Sequence, residues 1–576
     1  MDERTKAINT RIFSEIKKES YEVLYALDTS TENAAAVNRD LLLRVMEKNS
    51  GTEYGKKYGF SEIHDADTYR RNVPLTEYSD YAPYIERMTQ KGEQNLLTAA
   101  PPVYYASTSG STGKPKDIPM TKDDLQSFLD YTTAPMTAVI SEFYQNTRHT
   151  DIEYGKECAI LSVARHVLPC GVECGSLSAA FMDDDDGEDE EIDYFACYET
   201  TPKEVMMCPG NADMKYLHAR YALAEPDLVY FSGAYIAALL DIMVYIRDHY
   251  EMLVRDIRDG RIDPGIQMPG ELRETLEAAL VPDPERAGFL QKEFRQGFDT
   301  TIMKRIWPRL AAICTIWAGN FLPYARKLQQ FSGRSVPYYT MSYTASEGVF
   351  GVARHPFDPY YCMLPTSCFY EFIPADEQDE EENGSPATLL LDEVEEGKEY
   401  ELVITNQSGF YRYRMGDVIR VTGFYNETPM VEFRYRKKNV LSLAGEKVTE
   451  AQLAAAVQAL ERRYGGRFVD FCVYPDQMAE QGRYVVYLEP EDPIPAERAE
   501  EFGKILDEEL ARASTTYAKL QSNIGVPKIV FLRPQTFQLH RKTRMQQYGI
   551  TENQIKTIRV LNTPELVRFF ENQKEQ

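Results

Sequence analysis

The 576-residue sequence has no uninterrupted apolar run near the roughly 20 residues that a membrane-spanning helix requires. Its best run, near Tyr235–Ile246, is broken by Asp241, which suits a helix buried in a soluble core. The amino-terminal MDERTKAINT lacks the apolar stretch of a secretory signal. Positive charge is also short: 64 basic against 90 acidic side chains leave a formal charge of -26. Phosphate backbones and anionic lipid repel such a surface at long range, so neither a nucleic-acid nor a membrane partner is expected. No repeat of fixed length stands out, which argues against solenoids and propellers. The nine cysteines are odd in number and spread from Cys158 to Cys472, a poor disulfide framework and a better fit to reduced thiols in the cytoplasm. What is present is core: 43% hydrophobic and 12% aromatic residues exclude disorder across the whole chain. The length is enough for roughly two to four domains. The 39 tyrosines, without basic patches beside them, read as core and interface residues rather than base-stacking platforms.

The first hundred residues carry helical spacing, at Arg11–Leu27 and Ala34–Lys48. After Ser107 apolar strands alternate with helical stretches. Cys158–Val167 and Asp227–Ser232 read as strands, the latter leading into a long helix over Ala234–Asp259, and Ile313–Trp317 and Val336–Met341 add two short apolar runs. This alternation predicts an α/β architecture with a largely parallel sheet. The acidic tracts Asp183–Glu191 and Asp376–Glu382 read as solvated loops, because clustered like charges resist burial. From Glu399 to Tyr435 the pattern turns β-rich, in YELVIT, YRYRMGDVIRV and MVEFRYR. A basic pivot follows at Arg436–Asn439, and then a smaller α+β scheme of single-domain size. The expected division is a domain over 1–435, a hinge at 436–439 and a domain over 440–576.

The sharpest chemical signal is Tyr105–Lys116, YASTSGSTGKPK. Glycine opens backbone conformations closed to other residues and lets a ligand come close. Ser109, Ser111 and Thr112 supply hydroxyls between Gly110 and Gly113, and consecutive backbone N–H groups with them wrap the oxygens of a polyphosphate. Lys114 and Lys116 bring positive charge to an acidic protein. This is not a Walker loop, which needs G-x-x-x-x-G-K-[ST]; only two residues separate Gly110 from Gly113, and Pro115 follows the lysine. His166, Cys170 and Cys174 recur at spacings of four, but Pro169 and Gly171 break any helix there and the usual zinc pattern needs four ligands, so no metal site is expected. No G-x-S-x-G elbow supports a hydrolase.

The Ser/Gly loop resembles the phosphate-binding signature of the adenylate-forming superfamily, which includes acyl-CoA synthetases, peptide-synthetase adenylation domains and luciferases. Tyr343-Thr344-Ala345-Ser346-Glu347 resembles its Y-x-x-[ST]-E motif, and Tyr413-Arg414-Met415-Gly416-Asp417 its Y-R-x-G-D motif, in the same order. The strings FYRYRMGDVIRVTGFYN and FRYRKKNVLSL resemble the auxin-responsive Gretchen-Hagen acyl-acid amido synthetases of plants and their bacterial relatives. Gln554–Arg559 resembles that family's Q-x-K-T-P-R element, with Ile558 where proline is usual. The likeness spans nearly the whole chain.

The resemblance implies an α/β fold: a large adenylate-forming domain of β-sheets flanked by helices with a β-rich subdomain, and a smaller mobile α+β domain at the carboxy terminus. It implies ATP and Mg²⁺, with a small carboxylic acid and an amino acid as substrates. Residues 343–347 would pass the adenine and α-phosphate, and Glu347 would be a hard oxygen ligand for Mg²⁺, whose other ligands are usually waters and substrate phosphates. Asp417 would accept from the ribose hydroxyls, with Arg436 as its partner on the ribose and phosphate side. Lys556 would be the catalytic lysine, a cation placed where charge develops at the transferring phosphate. Lys542 in HRKTR also echoes the superfamily's terminal lysine motif. An amide product is implied by the family; a thiol acceptor and a non-catalytic sensor remain as alternatives.

Overall fold

The computed structural model describes the chain except residues 1–2, 109–115, 133, 183–192, 209–211, 319–320, 376–385, 438–440, 442, 444–445, 447, 480, 549–557, 562 and 576. Ser109 to Gly113, Lys114, Lys556, both acidic tracts and part of the expected hinge therefore lie outside the described residues. Two compact units emerge: one of residues 1–108, 116–415 and 419–432, the other including 416–418 and 433–576.

The amino-terminal helical spacing becomes helices Glu3–Thr31 and Ala34–Asn49. In the larger unit a four-stranded sheet orders Lys156–Ile160, Leu228–Tyr235, Ala312–Ile316 and Tyr338–Tyr339, every pairing parallel. Its crossover is the helix Ile236–Asp259, which packs on Met214–Ala224, Pro284–Arg295 and Leu322–Ser332. Asp241, the break in the apolar run, pairs at 2.7 Å with Lys215 at the half-exposed edge of this helix, while Leu239, Ile242, Met243 and Ile246 are buried. Gly260 ends the helix at φ +61, a left-handed conformation in which a Cβ would also meet Pro282 N at 2.4 Å. Among the described residues no helix is long and apolar enough to cross a membrane.

One expectation holds for part of the fold and another needs correction. The expected parallel sheet is present, and a further parallel pairing joins Tyr105 to Cys174, but parallel strands do not dominate: a seven-stranded sheet orders Phe369–Pro374, Glu399–Thr405, Tyr413–Tyr425, Thr428–Arg436, Tyr361–Met363, Gly348–Val352 and Ser342–Ala345, and the first pair and the last four strands of that order meet as antiparallel neighbours. Cys158–Val167 is also not one strand. Lys156–Ile160 joins the parallel sheet, whereas Arg165–Val167 pairs in another with Glu173–Gly175, because the backbone between them leaves the ladder and Val163 N–H donates to Met206 O at 2.9 Å.

The smaller unit builds a three-stranded sheet from Phe468–Asp476, Arg483–Pro490 and Gly525–Phe531. Successive residues alternate faces. Val473, Tyr484, Val486 and Leu488 face a core shared with Leu453, Leu460, Phe502, Leu506 and Leu510 of helices Glu450–Tyr464 and Ala499–Ala513. Cys472, Val485, Tyr487 and Val530 face a second core closed by Phe537 and Phe570, from helices Thr536–Tyr548 and Pro564–Glu571. Both faces are covered, so the strands read as nearly continuous apolar runs.

Candidate functional site

The Ser/Gly loop is carried by an antiparallel hairpin whose arms are Tyr104–Thr108 and Lys116–Met120, with Thr108 opposite Lys116 at its last rung. Tyr105 parallels Cys174 of the neighbouring strand. The fit is tight: a Cβ at Gly175 would meet Ala164 O at 2.3 Å and the Tyr104 hydroxyl at 2.7 Å, so only glycine allows the approach. His166 stands opposite Cys174 in this sheet, and burial pushes the Cys174 thiol up to about 12. None of the nine cysteines forms a disulfide. The hairpin holds Lys116 in place: its ammonium lies 4.8 Å from the centre of the Tyr78 ring and donates at 3.5 Å to the Tyr413 hydroxyl.

The second motif folds as another hairpin. Ser342–Ala345 pairs with Gly348–Val352, Ala345 opposite Gly348, which leaves Ser346 and Glu347 as the two-residue turn. Tyr343 is buried, its ring 5.2 Å from Phe350 and 5.7 Å from Tyr361. The Thr344 hydroxyl bonds that of Ser342 at 2.7 Å. Ala345 and Ser346 are half-buried. Glu347 is fixed at two points: its carbonyl accepts from Asn406 Nδ2 at 2.8 Å, and its Oε1 accepts from the Tyr413 hydroxyl at 3.2 Å. Asn406 is in turn oriented by the amides of Ser408 and Phe410, which donate to its Oδ1 at 3.1 and 2.9 Å. The Ser408 hydroxyl donates to Asp124, which also accepts from Thr121 just past the Lys116–Met120 arm. Burial raises the pKa of Asp124. A small cavity lined by Asp124, Phe128, Glu347, Cys368 and Gln407 opens beside the turn.

The third motif divides its labour. Phe410 and Tyr411 belong to the core. Arg412, at φ +50, donates to buried Glu371 through Nε at 3.0 Å and Nη2 at 2.8 Å, and to the carbonyls of Arg70 and Val73. Arg414 grips Glu401 through Nε at 2.9 Å and Nη2 at 2.8 Å. These two-pronged guanidinium–carboxylate pairs are structural. Gly416, at φ +72, lies within the strand Tyr413–Tyr425 just before Asp417, which is buried and pairs at 2.6 Å with Arg436. The structure thus brings Lys116 and Glu347 together through Tyr413 in the larger unit, and Asp417 with Arg436 in the smaller. Sequence reasoning missed Tyr413, Asn406 and Tyr78. Tyr413 had a signal, as the first letter of Y-R-x-G-D; the other two are named only by their contacts.

Past residue 557, Arg559 donates to Asp470 and, at 2.7 Å, to Phe471 O, while its carbonyl accepts from Val473 N–H at 2.7 Å. Lys542 lies exposed on the helix Thr536–Tyr548. Among the described residues no group of three or more His, Cys, Asp or Glu side chains is placed to hold a metal. A single carboxylate such as Glu347 suits Mg²⁺ that arrives with nucleotide phosphates and waters, not a cation held by protein alone.

Family models match the chain in three consecutive blocks: the GH3 family N-terminal domain over residues 23–337, the central domain over 361–436 and the C-terminal domain over 451–565. Indole-3-acetic acid-amido synthetase GH3.8 of Oryza sativa subsp. indica is 29% identical over 588 residues, covering 98% of this chain and 94% of that protein. Jasmonoyl-L-amino acid synthetase GH3.5 of Oryza sativa subsp. japonica is 29% identical over 561 residues, covering 94% of each. The solved structure of GH3.15 acyl acid amido synthetase is similar with a TM-score of 0.79 at 25% identity, covering 96% of both chains.

Proposed function

The chain belongs to the GH3 family, and we propose on that footing that it is an ATP-dependent acyl-acid amido synthetase, a ligase that makes a C–N bond through an acyl-adenylate. In the first half-reaction a carboxylate oxygen of a small acid attacks the α-phosphorus of ATP, and pyrophosphate leaves. In the second, the neutral amine of an amino acid attacks the activated carbonyl. AMP leaves with the bonding electrons, and the amine proton passes to solvent. The observation that carries this reading is coverage: relatives named as amido synthetases align over 94–98% of the chain.

Residue roles follow from chemistry. Ser109, Gly110, Ser111, Thr112 and Gly113 wrap the phosphates, with Lys116 adding charge at the end of the hairpin arm. Tyr343, Thr344, Ala345 and Ser346 flank the adenine and α-phosphate. Asp417, held by Arg436, accepts from the ribose hydroxyls. Glu347 would hold Mg²⁺ through a carboxylate oxygen; bound there, the ion supplies neutralisation of phosphate charge. Lys556, on the 440–576 domain hinged at 436–439, stabilises charge that develops on the α-phosphate during transfer. A closing domain shields the adenylate from water between the steps. Nine cysteines without a disulfide fit a reducing compartment, the cytoplasm.

The test is a product assay: purified protein with ATP, Mg²⁺, a panel of carboxylic acids and either mixed amino acids or coenzyme A, read by mass spectrometry. An N-acyl amino acid with stoichiometric AMP and pyrophosphate is expected. A thioester in its place would make the enzyme a thiol ligase, and no pyrophosphate from any acid would make the chain a sensor of nucleotide or acid.

A further inference from the structure

We infer that Tyr413 is a positioning residue for the adenylation step, a phenolic spacer that aims the Glu347 carboxylate and keeps the Lys116 ammonium from closing on it. The inference rests on Glu347 as the carboxylate that serves the metal-nucleotide.

The phenol stands between two opposite charges that the reaction needs apart. Lys116 donates to its oxygen at 3.5 Å, and the same hydroxyl gives its proton to Glu347 Oε1 at 3.2 Å. The hydrogen bonds therefore run one way, from ammonium to phenol to carboxylate. One carboxylate oxygen is engaged and Oε2 is left for a cation or a water. Opposite charges brought into direct contact attract strongly, and a direct pair would neutralise both the phosphate-binding cation and the metal-binding anion. The spacer prevents that at the cost of one hydroxyl.

Tyr413 is itself held rigidly. Its ring packs on Phe410 at 4.9 Å and Tyr81 at 6.2 Å, and it is buried. The loop that leads to it also fixes the turn it serves: Asn406, braced by the Ser408 and Phe410 amides, bonds the Glu347 carbonyl. Residues 406–413 thus grip Glu347 by backbone and side chain together. Ser408, through Asp124 and Thr121, ties the same loop to the far end of the hairpin arm that carries Lys116. A free glutamate side chain must give up rotamer entropy to bind a ligand; here that ordering precedes binding.

The test titrates Mn²⁺ into the full chain with α,β-methylene-ATP, read by electron paramagnetic resonance. Tyr413→Phe keeps the ring contacts and should bind Mn²⁺ about tenfold more weakly, with its melting temperature within about 2 °C of wild type. Lys116→Met added to Tyr413→Phe should restore Mn²⁺ affinity at least partly, because the ammonium no longer competes. Tyr413→His, which retains a ring and a donor, should stay within about threefold of wild type and serves if the phenylalanine variant does not fold. Unchanged affinity in Tyr413→Phe, or no recovery in the double variant, overturns the spacer role. Glu347→Gln with wild-type Mn²⁺ affinity would overturn the underlying reading instead; Glu347→Gln that loses affinity beside an unaffected Tyr413→Phe removes Tyr413 alone.

Discussion

The parallel and the seven-stranded sheets of this chain treat buried charge in different ways. In the parallel sheet Glu157 takes hydroxyl donors, Tyr198 at 2.8 Å and Ser232, while Glu199 takes the amides of Ala159, Thr200 and Thr201. Burial raises the pKa of both. In the seven-stranded sheet Glu371 and Glu401 are instead paired with Arg412 and Arg414, and those arginines flank Tyr413. A parallel sheet is covered on both faces and leaves ligands no entry except at strand ends. Antiparallel hairpins end in turns, where a side chain such as Glu347 is braced by Asn406 and Tyr413. On the proposed reading the parallel sheet serves stability, and the antiparallel turns serve chemistry.

Substitutions sharpen that contrast. The largest effect is expected at Lys556→Ala, a loss of about 10²–10³ in acid-dependent pyrophosphate exchange with folding intact. Lys542→Ala should stay within about twofold; the reverse ranking would move the catalytic role to Lys542. Next, Arg412→Met strands buried Glu371 and should cost about 3–5 kcal/mol in urea unfolding. It should also depress exchange per folded molecule, because it loosens the backbone beside Tyr413. Trp307→Ala, under the parallel sheet, removes a ring stacked 5.8 Å from Phe231 and bonded to Ala222 O at 2.8 Å. It should cost a similar 3–5 kcal/mol, yet leave exchange per folded molecule unchanged. Equal losses of specific activity in Arg412→Met and Trp307→Ala would erase the distinction.

The smallest effect is on pH. Burial lowers His218 in the larger unit and His540 in the smaller to about 4. A depressed histidine binds fewer protons folded than unfolded, so its contribution is present above about pH 6.5 and falls away toward pH 4, by at most about 3 kcal/mol each. Raised Glu157 and Glu199 act oppositely, since their burial is relieved on protonation. The larger unit should therefore lose less protection than the smaller when hydrogen exchange is compared at pH 7 and pH 5, with His540→Phe flattening the response of the smaller. Equal losses in both would contradict the assignment.

Local patterns were legible where a segment's partners are determined by its own periodicity. Glu450–Tyr464 carries a Thr449–Gln452 capping box and ends at left-handed Gly465, both local signals. The motif strings picked out Glu347 and Asp417, of which the first proves to stand at a turn and the second inside a strand. What the sequence could not separate was role within FYRYRMGD, because Arg412 and Arg414 find carboxylates 41 and 13 residues away and a motif does not display its distant partners. The same holds for Asn406, whose amide reaches back 59 residues to the Glu347 carbonyl. Val336–Met341 shrank to a two-residue strand, since apolar content alone does not say how many residues find a ladder.

Acid-dependent pyrophosphate–ATP exchange by Glu347→Gln, measured against wild type at equal folded fraction, tests most directly whether adenylation resides at the antiparallel turn. The account predicts a loss of about 100-fold or more, with an unchanged urea midpoint. Exchange within a few-fold of wild type, at the same Mg²⁺ dependence, would contradict it.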